Sequence, residues 1–478
     1  MSAKMVLQEA LSCNTRLGME PDVCVIGAGL AGSEAAWQLA IRGHKVLLVE
    51  MRPEAQTPAH QTGYAAEMVC SNSFKSDDPI SATGILKAEM ELLGSMILAS
   101  ARETAVPAGQ SLAVDRALFA KLVTEKLRGN GNIIWETKLA EKPPLTTLDD
   151  SMPTILASGP LTAGPLVEWI SSTFDESCLY FYDAIAPIVE RDSIDMSIAF
   201  PASRYGKGAP DFLNCPLDKE QYDRLLDAML AAPQARLHDF DARFFESCLP
   251  IEVMADRGRD TLRYGPMKPV GLTDPRTGRW PYAAVQLRQD SVAADLFNMV
   301  GFQTRMAQGA QSEVLRLIPG LENAVFARYG SIHRNTYICA PRLLDATLEA
   351  KAVPRLFFAG QLSGAEGYLE SAATGLAAAI AADRKIKKMP PLELPRQTMM
   401  GSLLHYLANA EPNGFAPMNA IMGLLPELPE DAFYAQSPNK KNGAKSKKAV
   451  KRVLMRDRAL AAMREFVECS IAVQPIVG

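Results

Sequence analysis

Residues 22–50 read DVCVIGAGLAGSEAAWQLAIRGHKVLLVE, and the order of residue types along them decides the fold. Val23, Val25 and Ile26 make a short apolar run that ends at Gly27. Gly27, Ala28, Gly29, Leu30, Ala31 and Gly32 then open a helix that stops at Gly43, and Val46 to Val49 follow as a second strand. In such a unit the first glycine permits the tight turn, the second lets the backbone approach a pyrophosphate, and the third lets helix pack close to strand. The free amides and positive dipole end of the helix favour phosphate. Glu50 closes the second strand roughly 20 residues beyond the glycines, where a carboxylate accepts hydrogen bonds from a ribose. The strand before, the helix after and the acid at that distance separate this fingerprint from an ordinary glycine-rich turn, but NAD and FAD fit it equally.

The 478 residues are 48% hydrophobic and 22% charged, which suits a globular protein of two or three domains and excludes a disordered chain. A net charge of -4 is slight, so a nucleic-acid partner must be met by a local basic surface. Met1 to Glu20 lack a basic-then-apolar signal pattern, and no later run is long and apolar enough to span a bilayer; the expectation is a cytoplasmic protein with no membrane contact. Cysteines at 13, 24, 70, 178, 215, 248, 339 and 469 are scattered and read as thiols. The absence of a CxxC pair argues against a thioredoxin-reductase-type disulfide and against a paired-ligand zinc site, so no metal is expected.

Residues 1–20 carry little pattern and read as a flexible extension. After Glu50 comes QTPAHQTGYAAEMVCSNSFKSDD, residues 56–78, a loop rich in turn formers and hydroxyls around Cys70. Asp78-Pro79 predicts the N-cap and first turn of a helix carrying Leu86, Met90, Leu93 and Ile97 and ending near Ala101. Asp115 is placed to cap a helix with Leu118, Leu122 and Leu127. Residues 181–328, more charged and rich in proline, read as a smaller inserted domain between two parts, 21–180 and 329–436, of one α/β domain. That domain resumes with LFFAGQLSGAEGYLESAATGLAAAIAAD, residues 356–383, a strand, a turn at Gly360 and a small-residue helix. Flavoproteins of the glutathione-reductase type return in this way to complete an FAD-binding, Rossmann-like fold, so Gly360 and Gln361 join the cofactor set; Gln361 stands where many flavoproteins carry aspartate. From 437 to 478 the chain is a basic arm, with ten Lys and Arg between Lys440 and Arg464 against Asp457 alone. Such an arm is either a solvated end or a contact for RNA phosphates.

Cys24 and Cys339 sit in or beside strand-like runs and read as small core residues. Cys70 precedes Ser71, Asn72, Ser73 and Lys75, and Cys248 precedes Arg257, Arg259, Arg263 and Lys268; neighbouring cations and hydrogen-bond donors stabilise a thiolate. A flavin site with two thiolates has the parts for methylating a pyrimidine. Thiolate addition at carbon 6 of uracil makes carbon 5 nucleophilic, and a reduced flavin can pass on one carbon. His333, Arg288 and Arg334 are weaker candidates, for substrate, phosphate or a folate glutamate, with structural pairing the commoner fate of such residues.

Across 21–427 the sequence resembles TrmFO, the bacterial FAD- and folate-dependent tRNA (uracil-5-)-methyltransferases. The phrases that carry the resemblance include VIGAGLAGSEAA, TPAHQTGYAAEMVCSNS, VPAGQSLAVDR, CLPIEVMADRGRDTLRYGPMKPVGL, GSIHRNTYI and LFFAGQLSGAEGYLESAATGL. The resemblance implies formation of 5-methyluridine at position 54 of the tRNA T-loop, with 5,10-methylenetetrahydrofolate as carbon donor and tetrahydrofolate as product. It also implies reduction of FAD by NADPH or NADH. Cys70 and Cys248 are then the two functional thiols, Cys248 the preferred nucleophile and the other a base or a helper on the flavin. Phe74-Lys75 departs from the Leu-Arg common in the family, and the N-terminal extension and lysine-rich arm are longer than usual. Ribosomal RNA as target, the longer wobble-uridine relatives that work with a GTPase, and a flavin-bearing RNA-binding protein without catalysis are the rival expectations.

Overall fold

The computed structural model describes residues 20–144, 152–206, 208–235, 249–429 and 444–471. The opening stretch forms β1 (Val23–Ile26), α1 (Leu30–Ile41) and β2 (Val46–Glu50). β1 and β2 pair in parallel at the middle of a five-stranded sheet ordered Leu356–Phe358, Thr154–Leu156, β1, β2, Ile133–Thr137, all neighbours parallel. Strand order reverses beside β1, and the crevice outside the carboxyl ends of such strands is where open α/β sheets bind ligands. The expected α/β class with a Rossmann-type sheet is what the chain forms.

α1 is apolar on nearly every side because it is covered on nearly every side. A Cβ on Gly32 would sit 1.8 Å from the Gly27 carbonyl oxygen, so only glycine lets α1 lie this close to the turn. On its other flank runs α3 (Tyr368–Ile386), where a Cβ on Gly375 would meet the Ala31 carbonyl oxygen at 2.1 Å. Between them in sequence lies α2 (Ala82–Leu92). Its N-cap is Ser81, whose hydroxyl accepts from the Gly84 amide; the expected cap, Asp78, instead offers its carbonyl to Ser81 and so ends the preceding turn. The single helix expected through Ala101 breaks at Gly94, with φ of +72°, and restarts at Met96 under a Ser95 cap. Glu34 of α1 secures this restart by accepting from the Ser95 hydroxyl and the Ile97 amide at 2.7 and 2.8 Å. Asp115 does cap the helix Arg116–Gly129, but Leu118 is 45% exposed and Phe119, Val123 and Leu127 make the buried face. The loop around Cys70 contains a short strand, Ser73–Ser76, paired with Ser111–Val114.

A second, antiparallel sheet has six strands, in the order Phe200–Pro201, Phe212–Leu217, Ala283–Gln289, Leu296–Met299, Ile188–Glu190, Phe326–Arg328, with its own core around Leu217, Tyr222, Val285 and Phe297. The chain enters and leaves it along a two-stranded antiparallel ribbon, Leu179–Ile185 with Ser331–Tyr337. Past the parallel sheet, α4 (Met399–Asn409) is followed by α5 (Ala444–Ile471). The basic arm therefore holds a helix, and Met455, Ala459, Met463 and Phe466 of α5 are buried in the main core. Residues 1–19 and 430–443 lie outside the described residues.

The two fingerprint glycines differ in what surrounds them, since a Cβ on Gly29 meets no atom within 4 Å. Gly32→Ala is expected to cost about 2 kcal/mol or more of stability and Gly29→Ala almost none, read as thermal midpoints by circular dichroism with no ligand added.

Candidate active site

One cleft opens at the carboxyl ends of β1 and β2, with a void of about 1810 Å³ counted out to its open mouth. Gly27, Gly29, Leu30, Ala31, Glu50, Cys70, Gly360 and Gln361 all line it; Ala28 and Gly32 stand behind the turn, and Cys248 lies outside the described residues. Gly27 turns the chain at φ of +98° directly under Ala157, whose carbonyl oxygen a Cβ would meet at 2.5 Å. Gly29 faces open space, so its backbone is accessible from the cleft.

Glu50 is held in place by three hydrogen bonds from its own chain. One carboxylate oxygen accepts from the Ala28 amide at 2.7 Å, and the other accepts from the Arg52 amide and Nε at 3.0 and 2.7 Å. Burial pushes its pKa up, yet Arg52 outweighs that and holds it below the ordinary carboxylate value. On the opposite wall the Gly360 amide donates to the Thr374 hydroxyl, and Gln361 gives its side-chain amide to Glu366. Burial, and then the nearby Asp183, push the pKa of Glu366 up from the ordinary carboxylate value to about 8.

Cys70 is half-buried on the wall of this cleft. Its amide donates to the Tyr368 hydroxyl at 2.6 Å, and its thiol points to the Ala184 carbonyl at 3.7 Å. The polar neighbours Asn72 and Lys75, which the sequence offered as thiolate partners, are engaged by other groups. Asn72 donates to the carbonyls of Val114 and Gln289, and Lys75 pairs with Glu370 at 2.8 Å and donates to Asn419 at 2.5 Å. The cations about Cys70 come from far along the chain. Arg116 donates to the Met68 carbonyl at 3.1 Å and pairs with Asp290 at 3.0 Å. Arg288, on a strand of the second sheet, donates to Asn72 at 3.0 Å; burial lowers its pKa to about 10, with the Cys70 sulfur among the groups that favour its charge. Arg328 lies near enough to feel both Cys70 and Arg116 and donates to the Ala59 carbonyl at 3.1 Å.

Two of the four cations expected to serve Cys248 are committed elsewhere: Arg259 to Asp227 and Asp223, and Arg263 to Asp260 and the face of Tyr282. Ile251, three residues past Cys248, donates its amide to the carbonyl of Gln303, a cleft residue. His333 lines the cleft and shares a hydrogen bond with Ser331 at 2.9 Å, while Arg334 stacks on Tyr180 at 3.8 Å. Sequence reading passed over Arg116, Arg328, Tyr368 and His60. Arg116 closes VPAGQSLAVDR, and Tyr368 lies inside the phrase that carries the final strand and helix, so both were in view without a role.

His60 lines the cleft, its Nδ1 2.5 Å from the Thr57 hydroxyl. Burial, then the charge of Arg52, lowers its pKa from 6.5 to about 4. The unfolded chain takes up this proton on falling below pH 6.5, the folded chain only near pH 4, so stability is lost as pH falls through that window. Urea titrations across it are expected to show a shallower loss for His60→Asn than for the wild type, and no difference in pH dependence above about pH 7.5.

Residues 22–390 match the family model described as glucose inhibited division protein A. The chain is 53% identical over 407 residues, 84% of its own length and 92% of the relative's, to Methylenetetrahydrofolate--tRNA-(uracil-5-)-methyltransferase TrmFO of Pelotomaculum thermopropionicum. It is 50% identical over 436 residues, 91% and 99% of the two lengths, to the protein of that name from Bacillus licheniformis. The solved structure of Aquifex aeolicus GidA in its form II crystal superposes with a TM-score of 0.64 at 17% identity, covering 93% of this chain and 73% of that one, which establishes a shared fold. Among the described residues no helix is long and apolar enough to cross a membrane. By its family model the chain belongs to the glucose inhibited division protein A family, and by its relatives it is a member of the TrmFO methyltransferases, a family of enzymes.

Proposed function

We propose that this chain is an FAD-dependent enzyme that methylates carbon 5 of uridine 54 in the tRNA T-loop. The carbon would come from 5,10-methylenetetrahydrofolate and the electrons from NADPH or NADH. The observation that carries the proposal is the meeting, in one cleft, of a glycine turn open to a dinucleotide and a cysteine that has Arg116, Arg288 and Arg328 in its neighbourhood.

The residues present fit FAD. Gly29 leaves a Cβ-sized space over the turn, the amino end of α1 aims its free amides there, and Glu50 is fixed as an anion where a ribose would lie. A bound FAD would supply, once reduced, the acceptor that carries one carbon from folate to pyrimidine.

This chain's own residues would do the rest. Cys248 as thiolate adds to carbon 6 of uracil, and the resulting enolate makes carbon 5 nucleophilic. Cys70 serves as base on the proton that leaves carbon 5, and the Cys248 thiolate is expelled from carbon 6 as the ring double bond re-forms. Arg116, Arg288 and Arg328 would bring positive charge to the neighbourhood of Cys70. Tyr368 fixes the backbone of Cys70 by accepting its amide proton. Ile251 ties the segment after Cys248 to the cleft through Gln303. The six-stranded sheet and its helices, residues 181–328, would form the inserted domain that meets RNA.

Nucleoside mass spectrometry of tRNA and ribosomal RNA from a deletion strain tests this directly. Loss of 5-methyluridine from tRNA, restored by the wild type, is the expected result; loss from ribosomal RNA alone would move the target. Cys70→Ala and Cys248→Ala should each keep the flavin absorbance and lower methyl transfer by at least about 10³-fold. Full activity in either variant would refute its role.

A further inference from the structure

α5 is an unusual last element for a chain of net charge -4, since residues 444–471 hold eight Lys and Arg against three Asp and Glu. Its seating explains only part of it. Met455, Ala459, Met463 and Phe466 recur at helical spacing and are buried against the core, where α5 packs on α2. Continued toward the amino end, the same stripe reads Arg452 and Lys448, so within one turn of Met455 it changes from apolar to cationic.

Some of the charge is used locally. Lys451 pairs with Glu427 at 2.5 Å, Arg458 donates to the carbonyls of Pro426 and Glu427 at 2.5 and 3.0 Å, and Arg456 pairs with Asp457 at 2.6 Å. The side chains of Lys448, Arg452 and Arg464 make no hydrogen bond or ion pair with another described residue, and Lys448 and Arg464 are exposed. The stability of the helix does not account for these cations. Lys448 and Arg452, and Arg452 and Arg456, are like charges four residues apart, which repel on a helix surface. Cations in the amino-terminal half also oppose the helix dipole. A polyanion laid along the stripe reverses both effects.

The anchoring also ties this stripe to the cleft. α5 lies on α2; Thr83 and Lys87 of α2 donate to the Ser76 carbonyl at 2.8 and 2.7 Å; and Ser76 ends the strand whose Lys75 lines the cleft. We propose that the cationic stripe of α5, led by Lys448 and Arg452, grips the phosphate backbone of the substrate tRNA and so positions the uridine at the cleft. This rests on tRNA being the substrate, as proposed above.

The test is binding of an unmodified tRNA transcript to the full-length protein, by fluorescence anisotropy over a range of salt concentrations. K448E/R452E is expected to bind roughly tenfold or more weakly, with the slope of log affinity against log salt smaller by about two. K448A/R452A should fall between it and the wild type. K121E, the same reversal on an exposed helical lysine elsewhere, should stay within about twofold. Circular dichroism and flavin absorbance show whether each variant is folded. The proposal is overturned if both double variants, folded, keep the wild-type affinity and slope, or if K121E weakens binding as much as they do. Failure of the wild type to bind tRNA overturns it together with the proposed function, whereas the first two results leave methylation of tRNA standing.

Discussion

The closeness of α1 to its neighbours is the constraint on which the first half of the molecule depends. At Gly32 the helix presses on the turn that precedes it, and at Ala31 it presses on Gly375 of α3. Backbone meets backbone in both places with no side chain between, and packing at that density leaves no slack for a displaced helix. The free amides at the helix start are therefore aimed by contacts on two sides, not by the turn alone. Glu50 reports the same rigidity, because its bond to the Ala28 amide holds the end of β2 to the glycine turn across 22 residues of sequence.

The Cys70 loop is organised on the opposite plan. Almost nothing near it in sequence supplies its charge environment; Arg116 arrives from the first turn of the helix Arg116–Gly129, and Arg288 and Arg328 from two strands of the six-stranded sheet. Arg288 is costly to bury, and its lowered pKa records that cost. A sulfur anion, or any anion brought into the cleft, would offset it. The electrostatic character of this wall thus exists only when that helix and the six-stranded sheet are both in place.

That contrast explains how far the sequence could be read. The β1–α1–β2 unit, the Asp115 cap and the final strand and helix were legible because each is specified within one continuous stretch whose period, glycines and caps agree. Asp78 failed as a cap because Ser81, three residues later, offered a hydroxyl at a better place and left Asp78 to close a turn. The breaks and restarts are less local still: Glu34 steadies the helix that begins at Met96, and Glu89 accepts the amides of Met399 and Met400 to start α4, a pairing 310 residues long. No spacing rule links such partners. The gathering of cations on Cys70 was out of reach for the same reason, and Lys75, the cation nearest in sequence, proved to be spoken for by Glu370. For α5 the charge count hid the apolar stripe, since only four buried positions, each spaced by three or four residues, carry it.

The ribbon formed by Leu179–Ile185 and Ser331–Tyr337 bears on how the chain assembles. The parallel sheet needs Leu356–Phe358 beside Thr154–Leu156, strands separated by some 200 residues of intervening chain. Closing a flexible loop of that length is entropically expensive and kinetically slow. Once the intervening polypeptide has acquired its own antiparallel core, its two ends are already zipped together, and the loop that remains to be closed is short. The ribbon works in this respect as a splint that brings the chain on either side of residues 179–337 together.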